Sequence, residues 1–176
     1  MKIRFSGFGG QGIILLGEVL GAAATIEGKN ALQTQSYGSA SRGGASKCDV
    51  TVSDSEIYEL EIEEVDLLVA MSQPALDKYL GQLKKQGILI IDADLVKPVE
   101  RDCKFYPVNA TAIAKEKFAN PLFANFIILG YVVGLTGVVS MKSIENASSE
   151  RVKREVKTNT AAFKVGFKLA NPNFQL

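Results

Sequence analysis

Six residues near the start of the chain have the types and spacing of a loop that binds an anion through its backbone. They are Gly7, Phe8, Gly9, Gly10, Gln11 and Gly12. A β-prone stretch precedes them and apolar residues at helical spacing follow, so this glycine loop is predicted to join a strand to a helix. Its N–H groups and the positive end of that helix would attract a phosphate or a carboxylate. The alternative is a turn needed only for close strand–helix packing, which requires neither Gly10 nor the Gln11 amide.

The three glycines also match the dinucleotide-binding fingerprint G-x-G-x-x-G at 7–12. A dinucleotide site of this kind needs a carboxylate at the end of the second strand, where it holds the ribose of NAD. The corresponding segment, 33–38, contains no carboxylate. NAD is therefore disfavoured. NADP stays open as an alternative, with Ser36 and Arg42 receiving its 2′-phosphate.

A second segment of small, hydrogen-bonding residues spans 35–46 and contains a single arginine, Arg42. The planar guanidinium group suits a phosphate or a carboxylate. At the carboxyl edge of a parallel sheet, this second loop should face the glycine loop across a crevice. The candidate ligand contacts are Ser36, Tyr37, Gly38, Arg42 and Gly43. The alternative is a loop that only connects two strands.

Three further polar residues occupy positions that chemistry could use. Asp92 and Asp94 follow an apolar strand, but no second convergent group accompanies them, so we expect capping or turn formation. Asn125 lies in an apolar helix, where it makes either a hydrogen bond across a helix interface or a ligand contact. Gly130 and Gly134 in the same helix are expected to allow close helix packing. We assign no catalytic residue to the chain.

Composition excludes several chemistries. Histidine is absent, and the only cysteines are Cys48 and Cys103. A Ser-His-Asp or Cys-His nucleophile therefore cannot be built, and two thiolates cannot complete a four-cysteine zinc or iron–sulfur site. We expect two reduced, buried thiols and no metal site. The 20 basic and 19 acidic side chains give no sign of a nucleic-acid partner.

The hydrophobic pattern alternates strands with helices, which is typical of an α/β fold. Strands are predicted at 2–6, 31–37, 47–53, 65–71, 88–92 and 105–108, and helices at 13–23, 74–85, 109–118, from Pro121 onward and at 148–170. We expect one domain, 1–176, with a mostly parallel, Rossmann-like sheet and helices on both faces in three layers.

The apolar stretch 121–139 approaches the length of a membrane span. Three glycines interrupt it and no second such stretch exists, so we expect a buried helix. No signal-peptide pattern precedes the first strand, which predicts a cytoplasmic protein. An acidic segment, 54–66, and a basic segment, 151–168, are either two solvated surfaces or docking surfaces for partners.

The two loops in this order resemble the gamma subunit of 2-oxoacid:ferredoxin (acceptor) oxidoreductases. The resemblance is carried by Gly7-Phe8-Gly9-Gly10-Gln11-Gly12, Gln35-Ser36-Tyr37-Gly38, Ser41-Arg42-Gly43-Gly44-Ala45-Ser46, the strand end Ile91-Asp92 and the segment 120–137. Among the subfamilies the chain is most similar to the 2-oxoglutarate enzyme. The pyruvate and branched-chain 2-oxoacid enzymes are the alternatives.

The resemblance implies a subunit, inactive alone, of a complex that oxidatively decarboxylates a 2-oxoacid to an acyl-CoA. Thiamine diphosphate and iron–sulfur clusters would belong to the alpha, beta and ferredoxin-like delta partner subunits, with ferredoxin or another acceptor receiving the electrons. This chain would hold no cofactor alone, but would help to bind coenzyme A and cover the active site. The glycine loop would approach a phosphate of coenzyme A, with Arg42 as a second contact. An isolated chain could form a homodimer.

Overall fold

Strands and helices alternate along residues 1–36 and 45–172, the part of the chain that the computed structural model describes. The strands are β1 (Lys2–Gly7), β2 (Asn30–Ser36), β3 (Ser46–Ser53), β4 (Val65–Ala70), β5 (Leu83–Asp92) and β6 (Lys104–Val108). The helices are α1 (Ile13–Ile26), α2 (Gln73–Tyr79), α3 (Ala110–Phe118), α4 (Ala124–Thr136), α5 (Met141–Arg151) and α6 (Val156–Ala170). Short 3₁₀ turns at Leu80–Gln82 and Pro121–Phe123 precede β5 and α4.

The strands form one sheet in the order β2-β3-β1-β4-β5-β6. β1, β4, β5 and β6 are parallel, whereas β3 is antiparallel to both of its neighbours, β1 and β2. Every described strand except β3 therefore points the same way, which confirms the predicted mostly parallel α/β sheet. The carboxyl ends of β1, β4 and β5 meet at one edge of the sheet, and that edge positions the site.

Helices cover both faces of the sheet, as predicted. Alternating side chains of β4 enter two separate cores, with Leu67 in the larger and Leu68 in the smaller. The larger core lies against α1 and α3 to α6, and the smaller lies against α2. This alternation explains the continuous apolar run of β4, because a strand buried on both faces needs apolar residues at every position.

Helix α4 occupies the middle of the larger core and packs most extensively on α6. Most of its residues are buried, which confirms the buried helix expected from the apolar stretch. It ends at Thr136, where Gly137 adopts a left-handed conformation with φ of 61°. Among the described residues, no helix combines the length and the hydropathy needed to cross a membrane.

Two predicted helices were wrong in extent. The helix expected over 74–85 ends at Tyr79, and 83–85 begin β5, because Leu83 enters the smaller core from a strand and not from a helical turn. Of the helix expected over 148–170, residues 148–151 are the end of α5 and 156–170 form α6, and a turn in which Glu155 has a φ of 54° separates the two. The start of α5, 141–147, was not predicted as a helix. Local periodicity does not reveal this turn, since apolar residues continue on both sides of it.

Glu27, at the end of α1, accepts hydrogen bonds from the first turn of helix α5. The Ser140 N–H and the Ser143 hydroxyl both donate to Glu27 Oε1, at 2.5 and 2.8 Å. Burial alone would raise the pKa of Glu27, but these hydrogen bonds outweigh burial and lower its pKa to about 2. A carboxylate at a helix N-terminus is also favoured by the helix dipole.

Both cysteines are free thiols. Cys48, in β3, is fully buried, and burial raises its pKa to about 12. Cys103 is only half-buried, so the prediction of two buried thiols was wrong for this residue, which lies just before the edge strand β6. Burial raises the pKa of Cys103 as well, and neither thiol has the lowered pKa of a nucleophile.

Candidate functional site

The glycine loop joins β1 to α1 at the carboxyl edge of the sheet, as predicted. Phe8, Gly9 and Gly10 form its exposed tip. Gly10 and Gly12 have φ angles of 92° and 74°, a left-handed conformation that residues with a Cβ rarely adopt. Gly12 is the N-cap of α1, and neither a side-chain cap nor an acidic residue occupies the first turn. The N–H groups of that turn therefore face the site without an acidic competitor.

Gln11 holds the loop in place. Its Oε1 accepts a hydrogen bond from the Phe8 N–H at 2.6 Å, and its Nε2 donates to the Met71 carbonyl, beyond the end of β4, at 2.9 Å. A Cβ at Gly7 would overlap Gln11 Oε1, so a larger residue there would push the Gln11 side chain out of its hydrogen bonds. Gln11 is thus a positioning residue for the loop, and a direct ligand contact by it stays a prediction.

The ends of the second loop lie at the same edge of the sheet as the glycine loop. Ser36 is exposed at the end of β2, and Ser46, at the start of β3, pairs with Gly7. The crevice between the two loops stays a prediction, because residues 37–44 lie outside the described part of the chain. The other contacts predicted in this loop, Tyr37, Gly38, Arg42 and Gly43, lie outside the described residues.

The position of β3 argues against the NADP alternative. In a dinucleotide-binding fold the second strand lies beside the first, so its end can reach the ribose of a nucleotide bound at the glycine loop. Here β3 separates β2 from β1, which places Ser36 two strand spacings, roughly 10 Å, from β1. The sequence could not show this, because a hydrophobic pattern does not tell which strands are neighbours.

Asp92 and Asp94 cap α3, as predicted. The Thr111 hydroxyl donates to Asp92 Oδ2 at 2.5 Å, and the Ala112 N–H donates to Asp94 Oδ2 at 2.7 Å. The Asn109 side chain donates to the second oxygen of Asp94 at 2.9 Å. Burial raises the pKa of Asp92, although the hydrogen bonds from Thr111 oppose this effect. Both carboxylates are occupied by the N-terminus of a helix.

A cavity of about 230 Å³, lined by both polar and apolar side chains, opens beside the glycine loop, on the side facing α4 and α6. Sequence reasoning missed two of its lining residues, Arg154 and Asn159, which were assigned to the middle of one helix. It did single out Asn125, whose side chain lies against Gly12 and forms no hydrogen bond across a helix interface within the described chain. The observed placement of Asn125 therefore favours the ligand-contact alternative.

A second, more apolar cavity of about 300 Å³ lies on the other side of the loop. Its lining includes Gln11, Thr111, Lys115 and Leu122. Two large apolar side chains, Leu122 and Phe8, are exposed, with 59% and 41% of their surface accessible to solvent. The carboxyl edge thus offers backbone donors for an anion beside apolar surface for an uncharged group.

Comparison with known proteins identifies this fold. Residues 2–169 match the family model described as pyruvate ferredoxin/flavodoxin oxidoreductase. The chain belongs to this family. It is 45% identical over 174 residues to the 2-oxoglutarate synthase subunit KorC of Methanocaldococcus jannaschii, covering 96% of this chain and 93% of that protein. The resemblance to the oxidoreductase gamma subunit is confirmed, and the homologues are subunits of 2-oxoacid:ferredoxin oxidoreductases.

Two solved structures share this fold. The keto/oxoacid ferredoxin oxidoreductase gamma subunit of Geobacter sulfurreducens superimposes with a TM-score of 0.85 at 43% identity, covering 96% of this chain and 97% of that one. The 2-oxoglutarate:ferredoxin oxidoreductase of Magnetococcus marinus, solved with 2-oxoglutarate, coenzyme A and succinyl-CoA, gives 0.88 at 22% identity. All of this chain matches 32% of that longer chain. The gamma-subunit fold therefore occurs both as a separate chain and as part of a larger one.

Proposed function

We propose that this gamma subunit serves a 2-oxoglutarate:ferredoxin oxidoreductase complex that converts 2-oxoglutarate to succinyl-CoA. The substrate assignment rests on the 45% identity to a 2-oxoglutarate synthase subunit across nearly the whole chain. Pyruvate and branched-chain 2-oxoacids are the alternative substrates, and partner subunits select among them. Residues 1–176 act as one gamma-type domain in the cytoplasm, assembled with alpha, beta and ferredoxin-like delta subunits, and ferredoxin or another acceptor takes up the electrons.

We further propose that the glycine loop helps to bind coenzyme A. The observation that carries this proposal is the uncapped N-terminus of α1, presented by the exposed tip Phe8–Gly10 next to the apolar cavity. Coenzyme A combines phosphate groups with a long uncharged arm. Backbone N–H groups at a helix N-terminus suit the phosphates, and the apolar cavity suits the arm.

The residues of this chain suit a positioning role and not an electron-transfer role. With two cysteines and no histidine, the chain cannot ligate an iron–sulfur cluster by itself. Thiamine diphosphate, held by a partner subunit, would supply the chemistry of decarboxylation. This subunit orients the thiol of coenzyme A and excludes water from the site, which accelerates acyl transfer by proximity. It is accordingly inactive alone.

Affinity capture of the tagged chain from its native cell extract tests the assignment. We expect thiamine- and cluster-containing subunits to be captured with it, and the assembly to reduce a dye when 2-oxoglutarate and coenzyme A are both present. A higher kcat/KM with pyruvate than with 2-oxoglutarate would identify pyruvate as the substrate. A solitary chain that binds NADP tightly would contradict the proposal.

Gly9→Val should weaken coenzyme A binding in the assembled complex by tenfold or more, which corresponds to about 1.4 kcal/mol. Gly9 lies at the tip of the loop without a positive φ, and a Cβ added there would have no atom within 4 Å. The valine therefore leaves folding intact and occupies only the space that a ligand would enter. Equilibrium titration with coenzyme A measures the effect, and the KM for 2-oxoglutarate should not change.

Gly81→Val is the matched control. Gly81 is exposed, has equally open surroundings and lies in the turn before β5, at the opposite edge of the sheet. The assembled complex with Gly81→Val should bind coenzyme A as tightly as the wild type does. Equal losses of coenzyme A binding and 2-oxoglutarate turnover in Gly9→Val would indicate instead that the loop only holds subunits together.

A further inference from the structure

The acidic segment, 54–66, borders a groove at the amino edge of the sheet, opposite the glycine loop. Two cavities of about 350 and 440 Å³ share the lining residues Lys2, Glu59 and Lys84, so they form one amino-edge groove. Lys2 begins β1 and Lys84 lies near the start of β5, which places the groove at this edge. We propose that the amino-edge groove docks a basic surface of a partner subunit, an inference that rests on the complex proposed above.

The carboxylates of the groove exceed the cations beside them. Those that line it are Glu56, Glu59, Glu61, Glu63, Glu64 and Asp66. Lys2 forms a salt bridge with Glu59, and Lys84 Nζ lies 2.5 Å from Asp66 Oδ1. Glu61, Glu63 and Glu64 are exposed and form no salt bridge within the described residues. These unpaired carboxylates favour a cationic partner.

Thr51, in β3, supplies an observation independent of the carboxylates. It pairs with Lys2 of β1, so the two side chains lie on the same face of the sheet, and both line the groove. Thr51 is 7% exposed, and its hydroxyl has no hydrogen-bond partner within the described chain. Buried polar groups in proteins are nearly always hydrogen-bonded. An N–H donor from a lysine or arginine of the docked subunit would supply the missing bond.

Two large apolar side chains on the acidic segment indicate that the partner is a protein. Tyr58 and Leu60 are 83% and 67% exposed, the highest values among the large apolar residues that the structure describes. Aromatic residues are enriched at protein–protein interfaces, and a tyrosine ring also attracts lysine and arginine side chains. An acidic surface that serves only solubility would need neither side chain.

A metal ion is the alternative cation for these carboxylates. Within residues 1–36 and 45–172, no group of three carboxylate or thiol side chains is arranged to hold one. Tyr58 and Leu60 would also play no part in such a site. A docked protein accounts for the carboxylates, the unpaired Thr51 hydroxyl and the exposed apolar side chains together.

Competition during assembly tests the docking surface. Wild-type and variant chains with different tags are mixed in equal amounts with the other purified subunits, and the ratio of the tags in the assembled complex is measured. Glu61→Lys/Glu63→Lys should be incorporated about tenfold less than the wild type, because it places like charges against the basic partner. Added salt should reduce this preference, since salt screens exposed charges.

Glu116→Lys/Glu150→Lys is the matched control. Both residues are exposed, form no salt bridge within the described chain and do not line the groove. This variant carries the same net charge as the first, and it should be incorporated as well as the wild type. Equal exclusion of both variants would overturn the proposal, because the effect would then come from net charge and not from the groove.

Thr51→Val separates docking from folding. It removes the unpaired hydroxyl and keeps the shape of the side chain, so the isolated chain should be at least as stable as the wild type in chemical denaturation. Its incorporation into the complex should nevertheless fall about threefold, because the bond to the partner is lost. Unchanged incorporation would contradict the role of Thr51 in docking.

The same mixtures distinguish failure of the docking surface from failure of the proposed function. Normal incorporation of Glu61→Lys/Glu63→Lys would overturn the docking surface and leave the proposed complex intact. Sedimentation showing that the isolated wild type dimerises and that this variant does not would assign the groove to a second copy of the chain, which also overturns the proposal. If the wild type does not assemble with the other subunits, the proposed function fails together with the docking surface.

Discussion

Gly166→Ala is expected to lower the free energy of unfolding by about 3 kcal/mol, at the upper end of typical overpacking costs. A Cβ at Gly166, in α6, would overlap the carbonyl oxygen of Ile127 in α4 and lie 2.7 Å from the carbonyl carbon. These are backbone atoms at a buried position of α4, so they cannot rotate away as a flexible side chain could. The two helices must separate, and their contact is the most extensive between helices in the described chain.

Gly21→Ala is the control for this substitution. Gly21 lies in α1, also inside a helix, but a Cβ at this position would have no atom within 4 Å. Alanine is favoured over glycine in a helix by up to about 1 kcal/mol, so this variant should be slightly more stable than the wild type. Chemical denaturation of the purified chain measures both variants. Similar midpoints for Gly166→Ala and Gly21→Ala would contradict the close contact of α4 and α6.

The glycines of α4 show what kind of information the sequence carries about packing. Gly130 and Gly134 were expected to allow close helix packing, and a Cβ at Gly130 would lie 2.8 Å from the Phe167 nitrogen of α6. This close approach confirms the prediction. The prediction was possible because a glycine in an apolar helix has few other uses. The partner helix could not be predicted, since nothing local to α4 identifies which element lies against it.

Elements whose signals are local were predicted well. The glycine loop and the strand–helix units around it follow from residue types a few positions apart, as do the capping roles of Asp92 and Asp94. The direction of β3 was not predictable, because alternation along a strand is the same in either direction. The break between α5 and α6 was missed for a similar reason, since only the backbone of Glu155 reveals it.

Part of the candidate site could not be predicted from residues that are close together in the sequence. The cavity beside the glycine loop combines Gly10 and Gly12 with residues more than 100 positions away, and no spacing rule connects them. Asn125 was the one usable signal, because a polar amide inside an apolar helix needs a partner. That signal could indicate that a partner exists, but it could not name Arg154 or the N-terminus of α1.

The second large effect on stability is expected from a buried ion pair between Arg4 in β1 and Asp49 in β3. Arg4 is fully buried, and its Nε and Nη2 donate to the two carboxylate oxygens of Asp49, in β3, at 2.5 and 2.8 Å. Arg4 Nη2 also donates to the Ile62 carbonyl at 3.1 Å, and its guanidinium group lies 5.2 Å from the centre of the Tyr79 ring. Lys47 Nζ, at 2.9 Å, is the remaining cation near Asp49 within the described residues. The pair thus joins β1, β3 and the acidic segment.

Arg4→Met should destabilise the protein by about 3–5 kcal/mol, because it leaves the buried Asp49 carboxylate with Lys47 alone. The double variant Arg4→Met/Asp49→Leu should recover most of that loss, since apolar residues of similar volume often replace a buried ion pair at little cost. Chemical denaturation of both single variants and the double variant completes the cycle. If the double variant is as unstable as the sum of the two single variants, the loss arises from packing volume and not from the unpaired charge.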